Sequence, residues 1–268
     1  MVQDNPESIK WAVALTTAPR KDCTLNVCIE HLKTCGWEPI IFAEPGSTKT
    51  DCQTITNEQK KGVWHNWLSS AKWCLENTDA DVILTVQDDT ILHPDSKTFA
   101  EACMWPAADC GFLSLYTPKH YSINKKGELK APGVNRIWTN ALWGACALVF
   151  PREALRRIAY SAIADQWLGS IPKTNDSNIF NLRRNDPSTI ANSDMAIGKI
   201  INSMRLSMWF VDPSPGIHIA RYSTCGHGDN TGQRNAYRKA DFNTPLNQQI
   251  PIHNKMKLNN DYNYFNSV

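Results

Sequence analysis

Short apolar runs alternate with amphipathic stretches through the first half of this chain, and that alternation limits its fold more than any other feature. Residues 11–17 (WAVALTT) form an apolar run broken at Pro19, the length and ending of a buried strand. Thr24 is placed to cap a helix whose face carries Leu25, Cys28, Ile29 and Leu32 and which stops at Gly36. Residues 39–43 predict a second strand, closed by Glu44-Pro45-Gly46. The spacing of Val63, Trp67, Ala71 and Cys74 predicts a helix over 63–75, with further strands at 81–86 and 111–116. Strand, helix, strand at this spacing implies right-handed crossovers and predicts an α/β fold with a mainly parallel central sheet. Such sheets bind ligands at the carboxyl ends of their strands. Residues 16–20, Glu44 and residues 87–89 are therefore the first candidates for a site.

The second half is less regular. Residues 145–150 predict a strand, followed by a helix from Pro151 to about Tyr160 with proline at its first position. Ser193 is placed to cap a helix through Asn202, and 208–211 predict another strand. The expectation is a single domain over 1–240, divided into halves at 1–116 and 117–240. An Asn-rich tail, 241–268, is predicted to be an extended wrap or partly disordered.

Composition narrows the class. With 42% hydrophobic and 20% charged residues among 268, the chain is neither disordered nor collagen-like, and is long enough to bury a real core. Nine cysteines, an odd number with no C-x-x-C spacing, argue against a zinc knuckle and for reduced thiols, several of them inside apolar runs. The polar start Met1-Val2-Gln3-Asp4-Asn5-Pro6-Glu7 lacks the regions of a signal peptide. The uncharged run 137–151 is too short and polar to span a membrane, because a span needs about 20 apolar residues. No membrane partner and a cytoplasmic location are expected.

The most informative string is Val82-Ile83-Leu84-Thr85-Val86-Gln87-Asp88-Asp89-Thr90. An apolar strand delivers two adjacent carboxylates at its carboxyl end. Like charges side by side repel and need compensation, most simply a divalent cation. Oxygen ligands suit hard Mg or Mn, which keep coordination positions for phosphate. A turn explains the acidic residue types equally, but not the buried lead-in.

With that strand end, the sequence resembles the GT-A glycosyltransferases, whose acidic motif holds the metal that binds a nucleotide-sugar diphosphate. The resemblance extends over roughly 11–224 and rests on short pieces in order. Thr16-Thr17-Ala18-Pro19-Arg20 is similar to the family's first nucleotide-contacting loop, and Gly62-Val63-Trp64-His65-Asn66-Trp67 to the helix near base and ribose. The stretch 143–154, from Trp143-Gly144-Ala145 to Ala154, looks like the donor-sugar and acceptor segment, and Asn192-Ser193-Asp194 like the place where inverting members keep a catalytic carboxylate. The stretch 215–224 resembles the late loop whose histidine completes the metal shell. One departure stands out: Gln87 occupies the first position of the acidic triplet, where many relatives have a carboxylate.

The resemblance implies a GT-A type, Rossmann-like fold and a metal-dependent transferase, with a UDP-sugar as expected donor. Asp89 and His218 would ligate the metal, Asp88 would assist, and Thr16, Thr17, Arg20, Glu44, Asn66, Gln87, Trp143, Gly144, Ala145 and Arg221 would bind the donor. Asp194 would be the general base for an in-line displacement with inversion. His227, in the Gly-flanked stretch 225–229, competes with His218, and Trp138 and Trp143 are most simply core aromatics, though either could stack on a sugar or a base.

Charge bears on the acceptor. Residues 1–116 carry 9 Lys/Arg against 16 Asp/Glu, a balance of −7, and 117–268 carry 19 against 10, a balance of +9. Lys119, Lys125, Lys126, Lys130 and Arg136 surround one predicted loop, with Arg234, Arg238 and Lys239 further on. Clustered basic residues are the expected footprint of a duplex. Some viral GT-A enzymes glycosylate hydroxymethylated pyrimidines, and the chain resembles that group. The expected acceptor is therefore 5-hydroxymethylcytosine, or another hydroxymethylated base, in DNA. The alternatives are a polysaccharide, lipid-linked sugar or protein acceptor, or a non-catalytic binding module. No protein partner is expected.

Overall fold

The computed structural model describes residues 8–103, 107–124, 126–138, 142–167, 193–220, 236 and 238–251. Along the chain these form β1 (Trp11–Thr17), α1 (Leu25–Thr34), β2 (Pro39–Ala43), β3 (Thr54–Thr56), α2 (Gly62–Asn77) and β4 (Val82–Gln87). Then come β5 (Thr90–Leu92), α3 (Ser96–Cys103), β6 (Cys110–Ser114), α4 (Lys119–Ser122), β7 (Gly133–Ile137), β8 (Ala147–Pro151) and α5 (Arg152–Ala159). The last elements are α6 (Ala162–Gln166), α7 (Ser193–Ser203), β9 (Ser207–Asp212), β10 (Gly216–His218) and α8 (Leu246–Gln249).

Eight strands make one sheet in the order β3-β2-β1-β4-β8-β6-β9-β7. Four of its seven neighbouring pairs are parallel, and only β8 and β7 run against the rest. The fold is thus the expected mixed α/β class, with a mainly parallel, Rossmann-like central sheet.

Why the early strands read as unbroken apolar runs follows from burial on both faces. Successive side chains point to opposite faces. Ala12, Ala14 and Ile83 join Trp64, Trp67, Leu155 and Ile197 of α2, α5 and α7 on one face. Val13, Leu15, Val82, Leu84 and Val86 join Leu25, Ile29 and Leu32 of α1 and Phe99 of α3 on the other. Full burial of each large aliphatic side chain contributes about 1.5–3 kcal/mol.

The structure departs from the sequence reading at several points. The strand at 145–150 is β8, and it inserts antiparallel between β4 and β6; a five-residue apolar run carries no mark of its direction. The short β3, β5, β7 and β10 were not anticipated, being only three to five residues long. Pro151 ends β8 and caps α5 instead of entering it. Thr24 precedes α1 without capping it through its side chain, because its hydroxyl serves the acidic loop described below. Of the tail, residues 241–251 pack on the core through the buried Leu246 and Ile250. The Leu246 amide donates to Asp95 Oδ2 at 3.1 Å. Residues 252–268 lie outside the described residues.

All eight described cysteines are free, six of them buried, and burial pushes the Cys35, Cys74 and Cys103 thiols up to about 12. Among the described residues no helix is long and apolar enough to cross a membrane.

Candidate functional site

Six parallel strands, β1, β2, β3, β4, β6 and β9, end on one edge of the sheet, and antiparallel β8 begins there. Most of the residues singled out from the sequence are gathered at that edge.

The acidic loop is held from behind by backbone and hydroxyl contacts. The Asp88 amide donates to Thr16 O at 3.1 Å. The Asp88 carbonyl accepts from Thr24 Oγ1 at 2.6 Å and Cys28 Sγ at 3.0 Å. Neither Thr24 nor Cys28 was foreseen as a site residue, because contacts spanning 60 or more residues leave no local signal. β5 turns back from Asp89 and pairs with β10, setting His218 opposite Thr90. The Ile219 amide then donates to Asp89 O at 2.7 Å.

At the carboxylates, Thr17 Oγ1 donates to Asp88 Oδ2 at 2.5 Å. Arg20 forks across the pair, Nη2 to Asp88 Oδ1 and Nη1 to Asp89 Oδ2 at 3.0 Å. His218 Nε2 meets the same Asp89 oxygen at 3.1 Å. These side chains are almost wholly buried, with 8% of Arg20, 3% of Asp88 and 10% of Asp89 exposed. At such depth the attraction is offset by the cost of taking ions from water. Burial pushes the Asp88 carboxyl up to about 6, with Arg20 pulling the other way. For Asp89 burial acts likewise, but the hydrogen bond and charge of His218, together with Arg20, outweigh it and hold the group at about 2.

A stability prediction follows from Asp88. Its folded-state proton affinity exceeds the ordinary carboxylate value of 3.8, so the folded protein binds the proton more tightly than the unfolded chain. The contribution from Asp88 is present below about pH 4 and is lost as pH rises through about 6. Thermal melting of the ligand-free protein from pH 4 to 7 is expected to show a downward component that Asp88→Asn removes. Parallel melting curves for the two proteins would exclude that linkage.

Does this cluster suit a divalent cation? Three of the four carboxylate oxygens are engaged, while Asp89 Oδ1 is buried without a hydrogen-bond partner among the described residues. Among the described residues no three His, Cys, Asp or Glu side chains form a ready-made cage. One open, buried carboxylate oxygen still fits a hard ion that takes one or two carboxylates and completes its shell with phosphate and water. Asp89 is that donor, with His218 beside it.

The second part of the site is built around Asp194, at the start of α7. Three successive amides are each pinned to a side chain: Trp143 N–H to Tyr121 Oη at 2.8 Å, Gly144 N–H to Asp194 Oδ2 at 2.6 Å, and Ala145 N–H to Asp194 Oδ1 at 3.1 Å. Burial raises the Asp194 pKa while those two amides pull it down, and the net shift is upward. The next residue, Cys146, accepts from the Gln87 amide at 2.9 Å, joining this loop to the end of β4. The structure therefore brings the two candidate centres to one edge.

Gly144 is required by this loop on two counts. Its φ is +77°, and an added Cβ would lie 2.6 Å from Tyr116 Cε1. The left-handed conformation alone costs about 1–2 kcal/mol for a residue with a side chain. Gly144→Ala is expected to lower the melting temperature and to loosen the Asp194 contacts; an unchanged melting temperature would contradict this reading of the loop.

Other expected donor residues take structural parts. Glu44 accepts from the Lys61 amide at 2.9 Å and the Gly62 amide at 2.8 Å, closing the start of α2. Asn66 donates to Phe42 O at 3.1 Å and accepts from Asn57 Nδ2 at 2.9 Å. Thr16 Oγ1 donates to Val86 O at 3.3 Å, and Gln87, half-buried, ends β4. Trp138 and Trp143, read as core aromatics, are instead 78% and 57% exposed. Arg136 lies over Trp138 and the His120 ring edges Trp143. Arg221 and His227 lie outside the described residues.

The basic stretches also meet. Arg238 holds Asp212 and donates to Lys130 O at 3.0 Å, joining the connection between α4 and β7 to residues 238–239. Lys119, Lys126 and Lys239 are exposed. Lys125 and Arg234 lie outside the described residues.

The chain matches no family profile and no curated protein. Solved structures resemble it in fold at very low identity. A197 from STIV aligns with a TM-score of 0.45 and 11% identity, over 79% of this chain and 86% of that chain. HddC from Yersinia pseudotuberculosis aligns with a TM-score of 0.34 and 10% identity, over 54% of this chain and 78% of that chain. Neither likeness assigns a role to any residue, so the functional reading rests on the site itself.

Proposed function

We propose that the protein is a glycosyltransferase that moves a sugar from a nucleotide donor, a UDP-sugar, to a hydroxyl with inversion. The observation that carries this reading is the meeting, at one sheet edge, of a buried Asp88–Asp89–Arg20–His218 cluster and a half-buried Asp194. The first arrangement suits a diphosphate and its counter-cation, the second the deprotonation of an incoming hydroxyl.

In this mechanism Asp89 would hold a Mn or Mg ion beside His218. When bound, the cation would neutralise charge on the departing diphosphate. Asp88, fastened by Thr17, keeps the loop in shape and adds negative charge behind Asp89. Arg20 adds charge-assisted hydrogen bonds to phosphate oxygens. Asp194 takes the proton of the attacking hydroxyl, and its raised proton affinity brings it nearer the range in which a base is effective at neutral pH.

For the acceptor, the proposal is a hydroxymethylated base in DNA, 5-hydroxymethylcytosine above all. The joined basic stretches and the exposed Lys119, Lys126 and Lys239 support it. A saccharide, lipid-linked or protein acceptor is the second reading. It is favoured by the internal use of Arg238 on Asp212 and of Arg136 on Asp109 and Trp138, which leaves less charge for phosphates.

The test incubates the protein with Mn(II), a panel of nucleotide sugars and 5-hydroxymethylcytosine DNA, followed by digestion and mass analysis. A sugar adduct on the base is the expected result. Donor hydrolysis without any adduct would remove the DNA acceptor and keep the transferase. No donor turnover at all would remove the transferase reading.

A further inference from the structure

We infer that Arg20 is the resident counter-cation of the Asp88–Asp89 pair and that it competes with a divalent cation for that pair. Arg20 thereby couples cation binding to diphosphate binding. This rests on the proposed nucleotide-sugar site and goes beyond it, because it assigns Arg20 two alternating partners.

The observations are geometric. Arg20 is buried against both carboxylates, and its fork touches one oxygen of each. Two polar atoms in this otherwise satisfied cluster have no partner among the described residues, Asp89 Oδ1 and Arg20 Nε. An acceptor without a donor thus sits within a cluster whose guanidinium has a donor without an acceptor. Neither lack can be met by the other, since Arg20 already binds the opposite oxygen of Asp89. A cation would satisfy Asp89 Oδ1, and a phosphate would satisfy Arg20.

Charge explains why the two ligands should arrive together. A divalent ion placed on Asp89 Oδ1 stands next to a guanidinium 3.0 Å from the other oxygen of the same carboxylate, and the two positive charges repel. In the nucleotide-free protein Arg20 therefore competes with the cation. A diphosphate reverses the balance. It offers Arg20 a bidentate partner of the geometry that a guanidinium prefers, and it supplies oxygen ligands to the ion. By reciprocity, whatever factor the diphosphate gives to cation affinity, the cation gives to diphosphate affinity.

The chain is built for such a movement. Arg20 lies in the irregular segment between β1 and α1, so its side chain can turn without breaking a strand pairing. Asp88 has its own support from Thr17, Thr24, Cys28 and the Thr16 carbonyl, none of which depends on Arg20.

The experiment measures Mn(II) binding to the nucleotide-free full chain by titration calorimetry and by loss of the free-ion EPR signal. Wild type, Arg20→Gln and Arg20→Lys are compared, each with and without UDP. Arg20→Gln is expected to bind Mn(II) alone at least about tenfold more tightly than wild type, the factor equivalent to losing about 1.4 kcal/mol of competition. Arg20→Lys keeps the charge without the fork and should fall between them, which preserves the test if Arg20→Gln does not fold. Saturating UDP should narrow the gap. Mn(II) affinities of both variants no greater than that of wild type would overturn the inference. Absence of Mn(II) binding in all three proteins, with UDP still bound, would overturn it too while leaving the nucleotide site standing. If UDP binds none of them, the nucleotide-sugar reading itself fails.

Discussion

Asp89→Ala is expected to abolish measurable sugar transfer while leaving the fold in place. Asp89 is the residue on which both halves of the acidic cluster converge: Arg20 and His218 share its Oδ2, and its Oδ1 is the open donor. Removing one group aimed at developing charge typically lowers kcat by on the order of 10²–10³-fold, and here an open carboxylate oxygen for the cation goes with it. The change also strips a buried guanidinium of one partner, so a stability cost must be separated from a chemical one. Asp89→Asn supplies the control, since it keeps the shape of the side chain and removes only its charge. Both variants should retain the wild-type circular dichroism spectrum and lose Mn(II)-dependent turnover. Wild-type turnover in either would remove Asp89 from the mechanism.

Asp194→Asn is expected to lower kcat for transfer by about 10²–10⁴-fold, the usual worth of general-base assistance, while donor affinity stays near that of the wild type. The geometry adds a complication, because each Asp194 oxygen accepts a backbone amide, from Gly144 or Ala145. An asparagine would turn an N–H₂ group toward one of those donors and leave its hydrogen bond unmade, at about 1–3 kcal/mol. Loss of rate could then report a displaced loop instead of a missing base. The two are separated by pH and by a second variant. A base with a raised pKa produces an acid limb in the rate profile above the ordinary carboxylate range, and Asp194→Asn should erase it. Tyr121→Phe loosens the same loop at the Trp143 amide without touching the carboxylate; it should raise the acceptor KM and leave the limb in place. Transfer by Asp194→Asn at the wild-type rate would leave Asp194 with the loop-holding part alone.

How much of this was readable from the chain depends on whether a feature is local. Burial on both faces prints a continuous apolar run, so β1, β2 and β4 and the intervening α1 and α2 could be placed within a few residues. A pair of carboxylates ending such a run marks the ligand-binding edge of a parallel sheet, which is how Asp88 and Asp89 were found. The runs of three residues in β3, β5 and β10 are too short for periodicity to separate from loop. The two exposed tryptophans were misplaced because an indole counts as core by composition, and only the loop that carries it decides which way it faces.

The order of elements in the first half and the identity of the acidic strand end were legible along the chain, because each follows from the spacing of side chains along a few turns or pleats. Tertiary structure alone decided that β8 runs antiparallel, that Arg20 turns onto the carboxylates, and that Asp194 grips the Gly144–Ala145 amides across about fifty residues. Those outcomes depend on which distant groups the closed chain brings within 3 Å of one another. At that range a hydrogen bond between two buried groups outweighs any preference written in the local sequence.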